Sequence, residues 1–514
     1  MNCLNFKNAR KYIIFLNVWL VISIYLVFRL KFLGYVQRWD GNWYLDLFNT
    51  GLSVFQRFDF NSISWWKEVW LSANFLGHPS IAYVLWLYFG NILIGDVNTS
   101  INVVNISLSM ISIYAFYNIA CRFYPNRKFE NFLITLLFSF NPLFLATSVS
   151  LNLDFPLLIF EVALLHALLY RKWFLVGLWG LSLLFCKETG LVIYLLSTVF
   201  YFIFYRKELK FTNCLYLFVP GFIWILSKFI LGGLGWNNAG EISDASHSVW
   251  RWGSTCMFCF GINENNIKLR LSQIFIMNFG WILTIVVIIA ILKLLYSLRK
   301  KIDYRFNTNT KIFLVILFTF LGWLGANLLL VVMPFPRYVV AGVFYLIFIF
   351  YVSLNYLLHN KRCAQQFLLV IILVLNIFQV VEAIDPSMSL IYGRVYLGKH
   401  LSSPIFGFHD GLVYNLQFVF VDGLENEVSK VLTTRRLLGD NTTGYFFQGI
   451  KNFRSINDLY VENIKKGDEW QYVYVPWLSS ENSMLIIENN FDILSKQSVV
   501  WDGYDTTIFN LVAK

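Results

Sequence analysis

Two acids and a handful of cations stand where an otherwise apolar chain turns polar. Arg38-Trp39-Asp40-Gly41-Asn42-Trp43-Tyr44 comes directly after the first apolar run. Gly77-His78-Pro79-Ser80, Asp154-Phe155-Pro156, Cys186-Lys187-Glu188-Thr189-Gly190, Trp250-Arg251-Trp252 and Pro336-Arg337-Tyr338 follow in that order. A carboxylate beside an acceptor hydroxyl can take its proton, typically worth on the order of 10²–10⁴ in rate. Arginine binds phosphate oxygens through paired donors, and lysine adds a point charge. Acids and cations together suit transfer of a sugar from a lipid phosphate. Such a reaction passes through an oxocarbenium-like state, with inversion when one displacement does the work. Preorganised charge is often the largest catalytic term.

The elements that must position these residues are membrane helices. Of 514 residues, 57% are hydrophobic and only 14% charged, a balance that marks a polytopic membrane protein. The net charge of +11 does not point to nucleic acid, because the basic residues lie in short clusters between apolar runs. Those runs are 12–30, 100–121, 131–149, 152–170, 173–186, 191–205, 212–231, 271–296, 312–332, 338–358 and 366–384. The clusters are Arg122/Arg127/Lys128, Arg171/Lys172, Arg206/Lys207/Lys210, Arg299/Lys300/Lys301 and Lys361/Arg362.

Lys7, Arg10 and Lys11 precede the first run, which reads as an uncleaved signal anchor. With the N-terminus inside, every basic cluster is cytoplasmic. Counting 79–95 as a crossing would invert them all, so it reads as a juxtamembrane or re-entrant element.

The expected architecture is an α-helical polytopic bundle of about eleven transmembrane helices, residues 1–384, with a first external loop at 31–99. Residues 385–514 are more polar and read as a small extracytoplasmic α/β domain. A helix is expected near 423–438, and strands at Gln471–Pro476 and Ser498–Trp501. On this topology Asp40, His78, Asp154, Lys187, Glu188, Arg251, Arg337 and Tyr338 all face the external side, at span ends.

This pattern resembles the GT-C superfamily of integral membrane glycosyltransferases, which use polyprenyl-phosphate sugars. Arg38-Trp-Asp-Gly-Asn-Trp-Tyr44 is similar to an element of the GPI-anchor mannosyltransferases. The His-Pro, Asp154-Phe-Pro156, Lys187-Glu188 and Arg337-Tyr338 elements are closer to the protein O-mannosyltransferase and aminoarabinose transferase branch. Ser80 stands where that branch has a second Pro, and Gly41 where a second acid often follows the first.

The resemblance implies a bundle of GT-C type and an inverting transferase in a bacterial inner membrane. It would move a hexose such as mannose from a polyprenyl-phosphate carrier to a lipid, glycan or protein hydroxyl on the external face. It implies a catalytic role for Asp40 and Asp154. Arg38, His78, Lys187, Glu188, Arg251, Arg337 and Tyr338 would bind substrate. The one candidate cofactor is a divalent cation, Mg or Mn; Asp154 and Glu188 would position either that ion or the sugar hydroxyls.

Each residue has a plainer reading. Asp40 could pair with Arg38, and Asp154 could cap the helix that it begins. Lys187 and Glu188 could form a solvated turn, and Arg337 could snorkel from a helix end. Trp250 and Trp252 could merely stack on Arg251. The rival function is a flippase for lipid-linked oligosaccharides, which would place its ionisable groups near the bilayer midplane. Here the expected acids lie at span ends.

Overall fold

The computed structural model describes residues 6–35, 37, 40–73, 79–233, 264–277, 280–299, 310–329, 336–359, 361–382, 423–433, 436–439, 447, 450, 453–455, 465–475, 481–501 and 504–514. The chain divides into two units, one of Met1–Tyr35 with Tyr44–Val381, the other of Val36–Trp43 with Glu382–Lys514.

The first unit is helical because its apolar runs are long and little interrupted. Its helices are α1 (Phe6–Leu30), α2 (Asp40–Phe55, whose first turn falls to the other unit), α3 (Ile63–Ser72), α4 (Ile81–Ile94), α5 (Val97–Phe123), α6 (Lys128–Ser139), α7 (Pro142–Val149) and α8 (Asp154–Leu169). They continue as α9 (Trp173–Leu184), α10 (Thr189–Tyr205), α11 (Phe211–Gly233), α12 (Glu264–Phe275), α13 (Gly280–Arg299), α14 (Thr310–Leu329), α15 (Val340–Leu357) and α16 (Arg362–Glu382). A 3-10 turn, Pro336–Val339, leads into α15. Among the described residues, four helices are long and apolar enough to cross a membrane unaided, or five if α6 and α7 count together. The other expected crossings rest on the charge pattern.

Two expected spans are broken. The 131–149 run bends by 52° between α6 and α7. Asn141 causes the restart: its side chain accepts from the N–H groups of Leu143 and Phe144, and Pro142 sits in the first turn, where it needs no N–H partner. The 271–296 run is split between α12 and α13. Residues 79–95 hold the 14-residue helix α4.

The basic loops meet one another at one end of the bundle. Arg362 donates to Glu130 at 2.7 Å, and Arg127 donates to Gln365 and to the His359 carbonyl. Glu208 accepts from Lys311 at 2.6 Å and from Arg171. These two cations, Lys311 first, hold the Glu208 carboxyl below its usual range. Helices α8, α10 and α15 all end at this face, so they run in the same direction.

Cys363 is exposed beside this network, whereas Cys186 near the opposite end is buried. In a variant retaining only these two cysteines, an impermeant maleimide should label Cys363 from the cytoplasm and leave Cys186 untouched. Labelling of Cys363 from outside would reverse the whole topology.

The second unit contains a five-stranded sheet of order β2-β1-β3-β5-β4. Its strands are β1 (Leu437–Gly439), β2 (Phe453–Ser455), β3 (Glu469–Tyr474), β4 (Phe491–Trp501) and β5 (Tyr504–Ala513). β1 pairs in parallel with β2 and β3, whereas β5 runs antiparallel to β3 and β4. Helix α17 (423–431) is shorter than the expected 423–438, because Leu437–Gly439 pairs as strand. Helix α18 (Glu481–Asn490) supplies Ile487 to a core of Leu438, Trp470, Tyr472, Phe491 and Leu511.

Candidate functional site

Three helix entrances converge at the end of the bundle opposite the basic loops. Asp154 opens α8, Lys187 lies two residues before α10, and Arg337 sits in the turn before α15. Lys187 Nζ lies 2.6 Å from Asp154 Oδ1, and Arg337 Nε lies 3.5 Å from Oδ2. Asp154 is 3% exposed, Lys187 7% and Arg337 6%, so the triad is almost wholly dehydrated. Charges so buried interact strongly, but they repay the cost of leaving water only when well paired.

A fourth member, Arg270 on α12, was not among the expected residues. It is 1% exposed. Its guanidinium lies 6.0 Å from the centre of the Tyr338 ring, on which Lys187 (4.3 Å) and Arg337 (5.3 Å) also converge. An aromatic face attracts cations through its quadrupole, by about 2 kcal/mol or more when desolvated. Tyr338 therefore gathers three cations that would otherwise repel one another. Asp154 is the carboxylate that lies against Lys187 and Arg337. The N-terminal ends of α8 and α10 add the positive poles of their dipoles.

Local sequence explains the placement. Asp154 does not cap α8. Asn152 does so, its Oδ1 accepting from the N–H groups of Asp154 and Phe155 at 3.2 and 2.9 Å. The Asp154 side chain is thereby released to face its cations. Lys187 stands in the tight link between α9 and α10, where the Gly190 N–H donates to the Lys187 carbonyl at 2.9 Å. A Cβ at Gly190 would lie 2.1 Å from the Leu183 carbonyl oxygen, so only glycine fits. The Cys186 thiol donates to the Leu153 carbonyl at 3.5 Å, tying this link to the start of α8.

The expected residues divide accordingly. Asp154, Lys187, Arg337 and Tyr338 meet. Arg337 is buried and ion-paired, so it does not snorkel. Glu188 is half-buried next to Lys187. Asp40 is the first residue of α2, and its side chain lies outside the described residues, as do Arg38, His78 and Arg251.

The arrangement does not suit a divalent cation on Asp154, since both carboxylate oxygens face positive groups. Among the described residues no three His, Cys, Asp or Glu side chains are grouped to hold a metal.

Not every acid lies at a span end. Glu161 is fully buried in the middle of α8, two turns beyond Asp154, and it interacts with Tyr345 on α15. An acid at such depth is itself a functional signal, and it stood in plain view in the 152–170 run. Arg270 was signalled too, as a lone arginine one residue before an apolar run and away from the basic clusters.

A small crevice of about 20 Å³ lies near the cations. Val339, next to Tyr338, and Gln273, one turn beyond Arg270, line it with Leu283, Val343, Leu346 and Ile347.

The helical bundle shares its fold with proteins of known structure. Two solved structures carry the likeness: "Crystal Structure of ArnT from Cupriavidus metallidurans bound to Undecaprenyl phosphate", and the same protein in the apo state. Each superposes with a TM-score of 0.51 over 96% of this chain and 97% of that one, at 13% and 12% identity. ArnT is a GT-C glycosyltransferase, and at this identity the likeness is one of fold. No protein-family model and no curated protein sequence matches the chain.

Proposed function

We propose that this protein transfers a sugar from a polyprenyl-phosphate carrier to a hydroxyl acceptor at the extracytoplasmic surface of the membrane. The observation that carries the reading is the buried cluster of Lys187, Arg270 and Arg337 around Tyr338, with Asp154 as its single carboxylate. These cations would bind the carrier phosphate and stabilise the charge that builds on it as the glycosidic bond breaks. Asp154 pairs with Lys187 and Arg337 until the arriving phosphate displaces it.

Asp40 would accept the proton of the attacking hydroxyl, in a single displacement that inverts the anomeric carbon. The fold shared with an undecaprenyl-phosphate-binding protein supports the choice of carrier. A hexose donor, with mannose tested first, is the starting point. The acceptor is a lipid, glycan or protein hydroxyl.

The test uses purified protein, labelled polyprenyl-phosphate sugars and candidate acceptors. Wild type should transfer sugar, and Asp40→Asn should lower turnover by about two orders of magnitude. Arg337→Gln should weaken donor binding by about tenfold or more, the loss of one charge-assisted contact. Donor binding unchanged by Arg337→Gln would remove the cation cluster from the mechanism. The flippase reading draws on the deeply placed Glu161. Movement of carrier across vesicles without sugar transfer would favour it instead.

A further inference from the structure

The search beyond the cation cluster leads to Arg29, the penultimate residue of α1. Its side chain is fully buried. One nitrogen makes all of its hydrogen bonds: Nη2 donates to Asn102 Oδ1 at 3.3 Å and to the Ser148 carbonyl at 2.9 Å. Nε and Nη1 are buried with no acceptor among the described residues. The guanidinium lies 5.8 Å from the centre of the Phe32 ring, and Tyr25 is the titratable group that acts on it; among the described residues no carboxylate does so. Two other buried charges are ion-paired, Asp154 with Lys187 and Glu130 with Arg362. A buried cation with three N–H bonds unused and no counter-charge is costly.

We propose that Arg29 forms a second oxyanion site, separate from the Asp154 cluster, which takes a phosphate group through Nε and Nη1. The surroundings suit such a guest. Asn102, Ser109 and Ser148 all lie buried around Arg29 and Tyr25, and the Tyr25 hydroxyl is 2.8 Å from Ser109 Oγ. The site lies at the same end of the bundle as the donor cluster. The stretch from Ser148 to Asn152 leads from Arg29 to the cap of the helix that bears Asp154. The phosphate could belong to a lipid headgroup or be free in solution.

The experiment titrates full-length protein with inorganic phosphate, in nanodiscs of neutral phosphatidylcholine, and reads stoichiometry by calorimetry. Wild type should bind two equivalents, and Arg29→Gln and Arg337→Gln should each bind one. In nanodiscs of phosphatidylglycerol, loss of the Arg29-dependent equivalent identifies a lipid headgroup as occupant; its persistence identifies a soluble phosphate. Equal stoichiometry in wild type and Arg29→Gln would overturn the proposal. Loss of both equivalents from a folded Arg29→Gln protein would also overturn it, because Arg29 would then act through the Asp154 helix. Should Arg29→Gln fail to fold, Arg29→Lys keeps the charge with a single nitrogen. It should weaken the second equivalent by about tenfold and spare the first; an unchanged second equivalent would count against the site. Failure of the donor reading is separate, since it would appear as loss of the Arg337-dependent equivalent from wild type.

Discussion

Asp154→Asn is expected to destabilise the unliganded protein by about 3–5 kcal/mol, because it strips the counter-charge from a buried ion pair. The same change should tighten binding of polyprenyl phosphate. In wild type the Asp154 carboxylate already occupies Lys187 and Arg337. An arriving phosphate must compete with it for those donors. With a neutral amide in its place, Lys187, Arg270 and Arg337 surround Tyr338 without any anion. A ligand that brings negative charge then relieves their repulsion, by about tenfold in affinity or roughly 1.4 kcal/mol.

Unfolding by heat or by detergent titration checks the first half, and quenching by a fluorescent polyprenyl phosphate checks the second. Weakened binding in a folded Asp154→Asn protein would show that the carboxylate orients the cations rather than competing for them. Asp154→Asn combined with Lys187→Gln should recover part of the stability, since the pair is then removed together.

Gly190→Ala should cost sugar transfer about 100-fold, the usual penalty for misplacing a catalytic group by about 1 Å. The added methyl meets the Leu183 carbonyl oxygen at 2.1 Å, and a backbone atom inside a helical hairpin cannot step aside as a flexible side chain can. The link between α9 and α10 must open instead, and Lys187 moves with it. Overpacking of this kind typically costs about 1–3 kcal/mol in stability, less than its effect on the site. Gly325→Ala is the control. It also lies in a long helix, but a Cβ there has nothing within 4 Å. Full activity in Gly190→Ala would show that Lys187 is not placed by this turn.

Much of the site was legible because membranes punish misplaced charge. Asp154, Lys187 and Arg337 stood out as ionisable residues at span ends away from the basic clusters, and they meet in one cluster. Arg270 obeyed the same logic but was hidden by the reading of 271–296 as one span, which placed it in a loop. Glu161 and Arg29 were passed over because each falls inside an apolar run. A lone polar residue there has no pattern of its own, and its meaning comes from neighbours distant in sequence, Tyr345 in one case and Asn102 and Ser148 in the other.

Helix boundaries were harder to read. The bend at Asn141 depends on a side chain turning back to cap Leu143 and Phe144, which hydropathy does not register. In the second unit, β3 and part of β4 were legible from their aromatic and β-branched content. The three-residue strands β1 and β2 were not, because they are too short to carry an alternating pattern.

The common direction of α8, α10 and α15 has a consequence for metabolism. Each helix leaves the cation cluster and ends among the loops that the charge rule assigns to the cytosol. A sugar activated as a soluble nucleotide in that compartment has the thickness of the bilayer between itself and Lys187. On the proposed function, the glycolipid would be made by an earlier transferase on the inner leaflet, then turned over by a separate translocator. The spent polyprenyl phosphate would then be left on the far leaflet and would need a return route before it could be charged again.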